Sequence, residues 1–225
     1  MAAHTQIIDL YGIPACGKTT LAEYMASHPI NGLRVVTMHD CMHSALKNKW
    51  KLVKSVSLKN IGASIRLKFS APLDKKRRYV SLLSIVMMGV YRKYVRKYTD
   101  FDVVVSDHGD VQQFVSLERG DDLHETKKFI KACAHYLDAS LTTAYVDCKI
   151  DAETALQRMN DRGREKGRID LIGDQNVKLQ ELEKEIKHFD FWASFLKQRG
   201  KSVMELDMND STSAISDILL SNITI

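Results

Sequence analysis

Five short apolar runs punctuate this chain, and between them apolar residues recur every three or four positions. The runs read as strands at 6–11, 33–38, 101–107, 142–148 and 202–207. Three adjacent valines, Val103, Val104 and Val105, suggest burial on both faces, as in a parallel sheet. The longer stretches carry helical spacing. Leu21, Tyr24 and Met25 show it after the first strand, and a further helix covers roughly 122–137. Asp151 caps a helix whose inner face is Ala152, Ala155, Leu156 and Met159. A long helix over 174–199 carries Leu179, Leu182, Ile186, Phe189, Ala193 and Leu196, and Gly200 ends it. Ser211 caps a last helix with Ile215, Ile218 and Leu219 on one face.

Residues 41–100 break this alternation. Ala71, Pro72, Leu73 and Asp74 read as a turn that opens a long helix over 75–98. That helix is apolar over most of its surface toward the middle, so it predicts a mostly buried element. The stretch 55–69 shows no clear boundaries.

Between the first strand and the first helix stands Gly12-Ile13-Pro14-Ala15-Cys16-Gly17-Lys18-Thr19, followed by Thr20. It spells G-x-x-x-x-G-K-[ST], and strand, loop, helix is the order this motif requires. Glycines let backbone N–H groups wrap a phosphate chain. Lys18 reaches the β- and γ-phosphates of a nucleotide, and Thr19 offers its hydroxyl to Mg²⁺. The loop ends at a helix N-terminus, where unpaired N–H groups and the helix dipole favour an anion.

Composition narrows the class. The apolar fraction, 44%, is that of a globular protein with a sizeable core. The longest apolar run, over 82–90, is too short to cross a membrane, so no membrane partner is expected. The N-terminus carries no signal-peptide pattern. Cys16, Cys41, Cys133 and Cys148 lack metal-like spacing, which favours a reducing cytoplasm over a disulfide framework. The net charge is +5, but it is unevenly spread. Over 47–97 lysines and arginines abound and Asp74 is the lone acid, which reads either as an anion-binding region or as a solvated helical face. Trp50, Tyr79, Tyr91 and Tyr94 could add base stacking there, although Tyr91 and Tyr94 fall in the apolar helix.

In a parallel α/β sheet, ligands collect at the C-terminal ends of the strands. Asp40 and Asp107 fall there, beside the phosphate loop. Asp107 reads as a Mg²⁺ or substrate contact or as a strand-end cap. Asp40 reads as a base for a hydroxyl acceptor or as a loop cap. His108 reads as a substrate contact or a structural histidine. Arg158, Arg162, Arg164 and Arg168 form a cationic cluster that would neutralise transferred charge, with Asp161, Glu165 and Asp170 near enough to pair with some of them.

The phosphate loop, the strand ending in Asp107 and the arginine-rich segment follow the order seen in small P-loop kinases. The chain resembles the nucleoside and nucleotide kinase group, which includes thymidylate and deoxynucleoside kinases. That resemblance implies a single P-loop kinase domain over 1–225, three layers α/β/α around a five-stranded parallel sheet in the order 2-3-1-4-5. It implies that 41–100 is a helical substrate-side insertion, that 158–170 is a lid, and that Met208, Asn209 and Asp210 lie near adenine. ATP and Mg²⁺ are the implied cofactors, and a small anionic or hydroxyl-bearing acceptor is the implied partner. Thymidylate and deoxynucleoside kinases usually carry an acid followed by arginine after the third strand, where this chain has Asp107 and His108. A second resemblance, to zeta-toxin and chloramphenicol phosphotransferase-like kinases, places an aspartate where Asp40 stands. A different reading keeps the nucleotide for binding or switching, with 47–97 gripping nucleic acid, or joins both ideas as a polynucleotide 5′-kinase. A homodimer is compatible with the sequence, which does not set the oligomeric state.

Overall fold

The computed structural model describes residues 5–28, 32–70, 82–117, 127–162 and 169–222. Its frame is five strands, β1 (Gln6–Tyr11), β2 (Val35–Thr37), β3 (Val103–Ser106), β4 (Ala144–Lys149) and β5 (Val203–Asp207). All neighbours pair in parallel, in the order β2-β3-β1-β4-β5. This is the predicted sheet. Central β1 and β3 are buried almost throughout, which is why both read as near-continuous apolar runs.

Alternation along the strands sends side chains to two apolar layers. Ile7 and Val104 join one, with Met38, Cys41, Tyr91, Tyr94 and Val95. Ile8, Val103 and Val105 join the other and larger one. Helices therefore cover both faces. Three of them, α6 (Asp110–Leu117), α7 (Lys127–Ala139) and α9 (Gln175–Gln198), meet around Trp192, which is fully buried. Its ring lies 4.9 Å from that of Phe114 and 5.3 Å from that of Phe195. Burying one such side chain contributes about 2–3 kcal/mol.

Local signals set the helix starts. Asp151 Oδ1 accepts from Thr154 N at 2.7 Å to cap α8 (Ala152–Asp161). Asp174 caps α9, and Ser211 Oγ accepts from Ala214 N at 3.3 Å to cap α10 (Thr212–Ser221).

The structure differs from the sequence reading in three places, and a fourth lies partly outside the described residues. The second strand is only three residues long, because Thr37 caps α2 (Met38–Lys47) directly behind it. Asp40 therefore stands in the first turn of a helix. The stretch without clear boundaries contains α4 (Leu58–Ser70), which buries Ala63 and Leu67 and follows the short α3 (Lys49–Val53). The long helix is α5 (Leu82–Tyr98); the turn at 71–74 and the helix start before residue 82 lie outside the described residues. Finally, α6 is an unpredicted helix, although Val111, Phe114 and Leu117 are apolar at three-residue spacing.

Candidate nucleotide site

The phosphate loop leaves β1 and ends at α1 (Lys18–Ser27). Its backbone needs conformations that side chains resist. Gly12 has φ 147° and Gly17 φ 101°, and Ala15 adopts φ 62° despite its Cβ. A Cβ at Gly12 would also sit 2.7 Å from the Cys148 carbonyl oxygen. A left-handed alanine inside a loop is strain of the sort that clusters at binding sites.

Lys18 is buried and folds back over the loop. Its ammonium donates to the carbonyls of Gly12 at 2.8 Å and Ile13 at 3.0 Å, and lies 3.3 Å from Cys16 Sγ. The Cys16 thiol, hydrogen-bonded to Cys148 and close to the Lys18 charge, is held down to about 6 against the penalty of burial. The next residue, Thr19, donates its hydroxyl to Asp107 Oδ2 at 2.6 Å. Sheet order makes this contact, because β3 lies beside β1 and both loops leave the same edge.

A cleft of about 670 Å³ opens over this loop. Pro14 through Thr20 form its floor, and His108 and Gln112 one wall. Arg158 from α8 and Arg162 just past its end, with Asp170, form another side, and Met208, Asp210, Thr212 and Ile215 close it beyond β5. Arg158 donates to the Met208 carbonyl at 3.0 Å. Arg162 is paired with Asp170, its Nη2 2.5 Å from both carboxylate oxygens. Arg164 and Arg168 lie outside the described residues. His108 is exposed and lines the cleft, so it is no core histidine. Five sequence candidates, Gly12, Ile13, Asp40, Asp107 and Asn209, do not line it, and Asp107 is tied to it through its hydrogen bond from Thr19. Asp40 is exposed, and its Oδ2 accepts from the Thr37 hydroxyl at 2.7 Å. Asn209 directs its backbone N–H to Asp207 Oδ1 at 2.9 Å.

Beneath the cleft lies a polar network that the sequence did not reveal. Arg92, 1% exposed, pairs with Asp110 Oδ1. Asp110 Oδ2 accepts from Ser140 at 2.7 Å, Tyr145 at 2.9 Å and Thr142 at 3.1 Å. Asp9, fully buried on β1, accepts the Asp110 N–H at 2.5 Å. Desolvation, with the Asp110 charge, pushes the Asp9 carboxyl up to about 8, against the opposing pull of Arg92. Gly109 passes directly over Asp9, where any side chain would collide with the carboxyl group. The network thus seats the turn that carries Asp107 and His108. Arg92, counted from sequence with the basic region 47–97, is a core residue.

No protein-family model matches the chain, and no curated protein matches it in sequence. Among solved structures it is similar to deoxyadenosine kinase from M. mycoides with the products dCMP and dCDP bound, at 12% identity and TM-score 0.49 over 96% of this chain and 97% of that chain. The same enzyme with bound dATP gives 12% identity and TM-score 0.48 over the same shares.

The donor set fits a nucleotide with Mg²⁺. A hydroxyl and a carboxylate side by side offer the hard oxygen ligands that this ion takes. Positive-φ backbone at Gly12, Ala15 and Gly17 forms the concave floor a phosphate chain needs. Sequence missed Gln112, whose buried Oε1 has no hydrogen-bond partner among the described residues, and Thr212 and Ile215, which extend the side of the cleft where Met208 and Asp210 were expected. Each belongs to an element whose neighbours only the fold assigns.

Proposed function

We propose that the chain is an ATP-dependent phosphotransferase that passes the γ-phosphoryl group to a nucleoside, nucleotide or other small acceptor. The observation that carries this reading is convergence: Lys18, Thr19, Arg158 and Arg162 line one cleft over a phosphate loop, and Thr19 there donates to Asp107. In this reading the loop residues Gly12 to Thr20 bind the phosphates through backbone N–H groups. Lys18 would exchange its two carbonyl partners for phosphate oxygens. Thr19 and Asp107 would hold Mg²⁺, which supplies charge neutralisation at the phosphates when bound. Arg158 and Arg162 would stabilise charge on the transferred group, a role worth several powers of ten in rate. The Met208 to Ile215 side offers apolar contact to a base. His108 and Gln112 face the space left for the acceptor.

The test is ATP consumption by the pure protein with nucleosides, nucleoside monophosphates, small hydroxyl metabolites and 5′-hydroxyl oligonucleotides, beside a Lys18→Ala control. Phosphorylation of one acceptor class, lost in the control, is the expected result. ATP binding without turnover on any acceptor would sink the phosphotransferase reading.

A further inference from the structure

Outside the lining of the cleft, the chain exposes apolar side chains in one short segment. Within 46–58, Leu46 is 50% exposed, Trp50 81%, Val53 62%, Val56 44% and Leu58 87%. Single exposed apolar residues need no explanation, but a contiguous group marks a contact surface. Lysines interleave it: Lys47, Lys49, Lys51, Lys54 and Lys59 are all exposed. From 41 to 70 the chain contains no aspartate or glutamate.

The outward face is held in place from behind. Leu52 packs into the apolar layer built on Tyr91, Tyr94 and Val104. Ser55 is fully buried and donates to the Lys51 carbonyl at 2.9 Å. Lys51 lies 5.6 Å from the centre of the Tyr98 ring. With Leu52 and Ser55 turned inward, Trp50 and Val53, one helical turn apart, face away from the core.

We propose that this tip docks the protein onto an anionic lipid surface, with Trp50, Val53 and Leu58 entering the headgroup boundary and the flanking lysines binding lipid phosphates and carboxylates. The sequence reading expects no membrane partner because no run spans a bilayer. Among the described residues no helix is long and apolar enough to cross one, and the contact proposed is peripheral. Interfacial binding of this kind combines a Trp- or Leu-bearing face with lysines beside it.

The chemistry separates lipid from the other anionic partner, nucleic acid. A single strand needs successive aromatic planes on which bases stack. Within 46–58 the exposed apolar side chains besides Trp50 are aliphatic, Tyr91 and Tyr94 are buried, Tyr98 already faces Lys51 and Lys97, the exposed Phe69 stands beyond the segment, and Tyr79 lies outside the described residues. Aliphatic groups suit acyl chains and offer nothing to a base. Self-association is disfavoured too, since two copies of an acid-free patch would set lysine against lysine.

The chain carries its own reporter. Its two tryptophans are Trp50, exposed, and Trp192, fully buried. The experiment titrates the full chain with vesicles of phosphatidylcholine alone and of phosphatidylcholine with phosphatidylserine, reading tryptophan emission and quenching by brominated acyl chains. Anionic vesicles should shift the emission to the blue and expose Trp50 to bromine, and each lysine removed should weaken partitioning about fivefold. Trp50→Phe should silence the shift, and Lys49→Glu with Lys51→Glu should abolish partitioning with the circular dichroism unchanged. Lys18→Ala should bind vesicles as the wild type does, which keeps this test separate from the phosphotransferase reading. No shift with anionic vesicles overturns the proposal. So does quenching by a mixed single-stranded oligonucleotide that displaces the vesicles, which would assign the tip to nucleic acid.

Discussion

Thr19 and Asp107, 88 residues apart in sequence, meet at 2.6 Å with the hydroxyl donating to the carboxylate. The contact joins the first turn of α1 to the turn after β3 and sets a hydroxyl and a carboxylate oxygen side by side. Asp107→Asn keeps a hydrogen-bond acceptor and removes the charge. We expect its melting temperature to match the wild type while the Mg²⁺-dependent gain in ATP affinity falls about tenfold or more. Calorimetric titration of ATP with and without Mg²⁺ checks this. An unchanged gain would remove Asp107 from the metal site.

Arg158 in α8 and Arg162 at its C-terminal cap should behave differently. Arg158 binds the Met208 carbonyl and has no carboxylate partner among the described residues, so its charge is available to a phosphate. Arg158→Ala should lower kcat about a thousandfold with little change in stability. Arg162 is held bidentately by Asp170, and Arg162→Ala should cost about 2 kcal/mol of stability besides activity. Denaturant unfolding beside initial rates separates the two effects.

Asp40 is engaged by Thr37 and does not line the cleft. A general base contributes about a hundred- to ten-thousandfold in rate. We expect Asp40→Asn to lower turnover less than about tenfold once an acceptor is known. A larger loss, with a changed pH profile, would restore Asp40 as the base.

Asp9 predicts how stability varies with pH. Its folded-state carboxyl is raised to about 8 by burial and by Asp110, against an ordinary value of 3.8. The folded state therefore keeps a proton that the unfolded chain releases near pH 4. This contribution is complete below that pH and is lost as pH rises toward 8. The melting temperature should fall across this window, and the fall should be shallower in Asp9→Asn, which cannot ionise. Thermal scans from pH 5 to 8.5 compare the slopes.

Gly109 and Asp9 should be coupled. A Cβ at Gly109 would lie 1.7 Å from Asp9 Oδ1 and 2.0 Å from its Cγ. Gly109→Ala should therefore destabilise by more than about 3 kcal/mol. Paired with Asp9→Ala, it should cost less than the sum of the single changes. Additive losses in the double-mutant cycle would show that the glycine is required for another reason.

The sequence alone determined what depends on neighbours within a few residues. Gly12, Gly17, Lys18 and Thr19 spell the phosphate loop, Asp151, Asp174 and Ser211 start their helices by capping nearby N–H groups, and the valines of β3 announce a strand buried on both faces. Ligand chemistry at the loop follows from that spelling, because the contacts it needs are made by adjacent atoms. Only the tertiary structure decided the fate of charges. Arg92 sits in a basic stretch and looks like its neighbours, yet packing closes over it and sets it against Asp110. The Asp9 carboxyl is raised because distant elements bury it and set Asp110 beside it, and Trp50 stands exposed because Leu52 and Ser55 fill the space beneath α3. Burial depends on which distant elements meet, and no local periodicity records that.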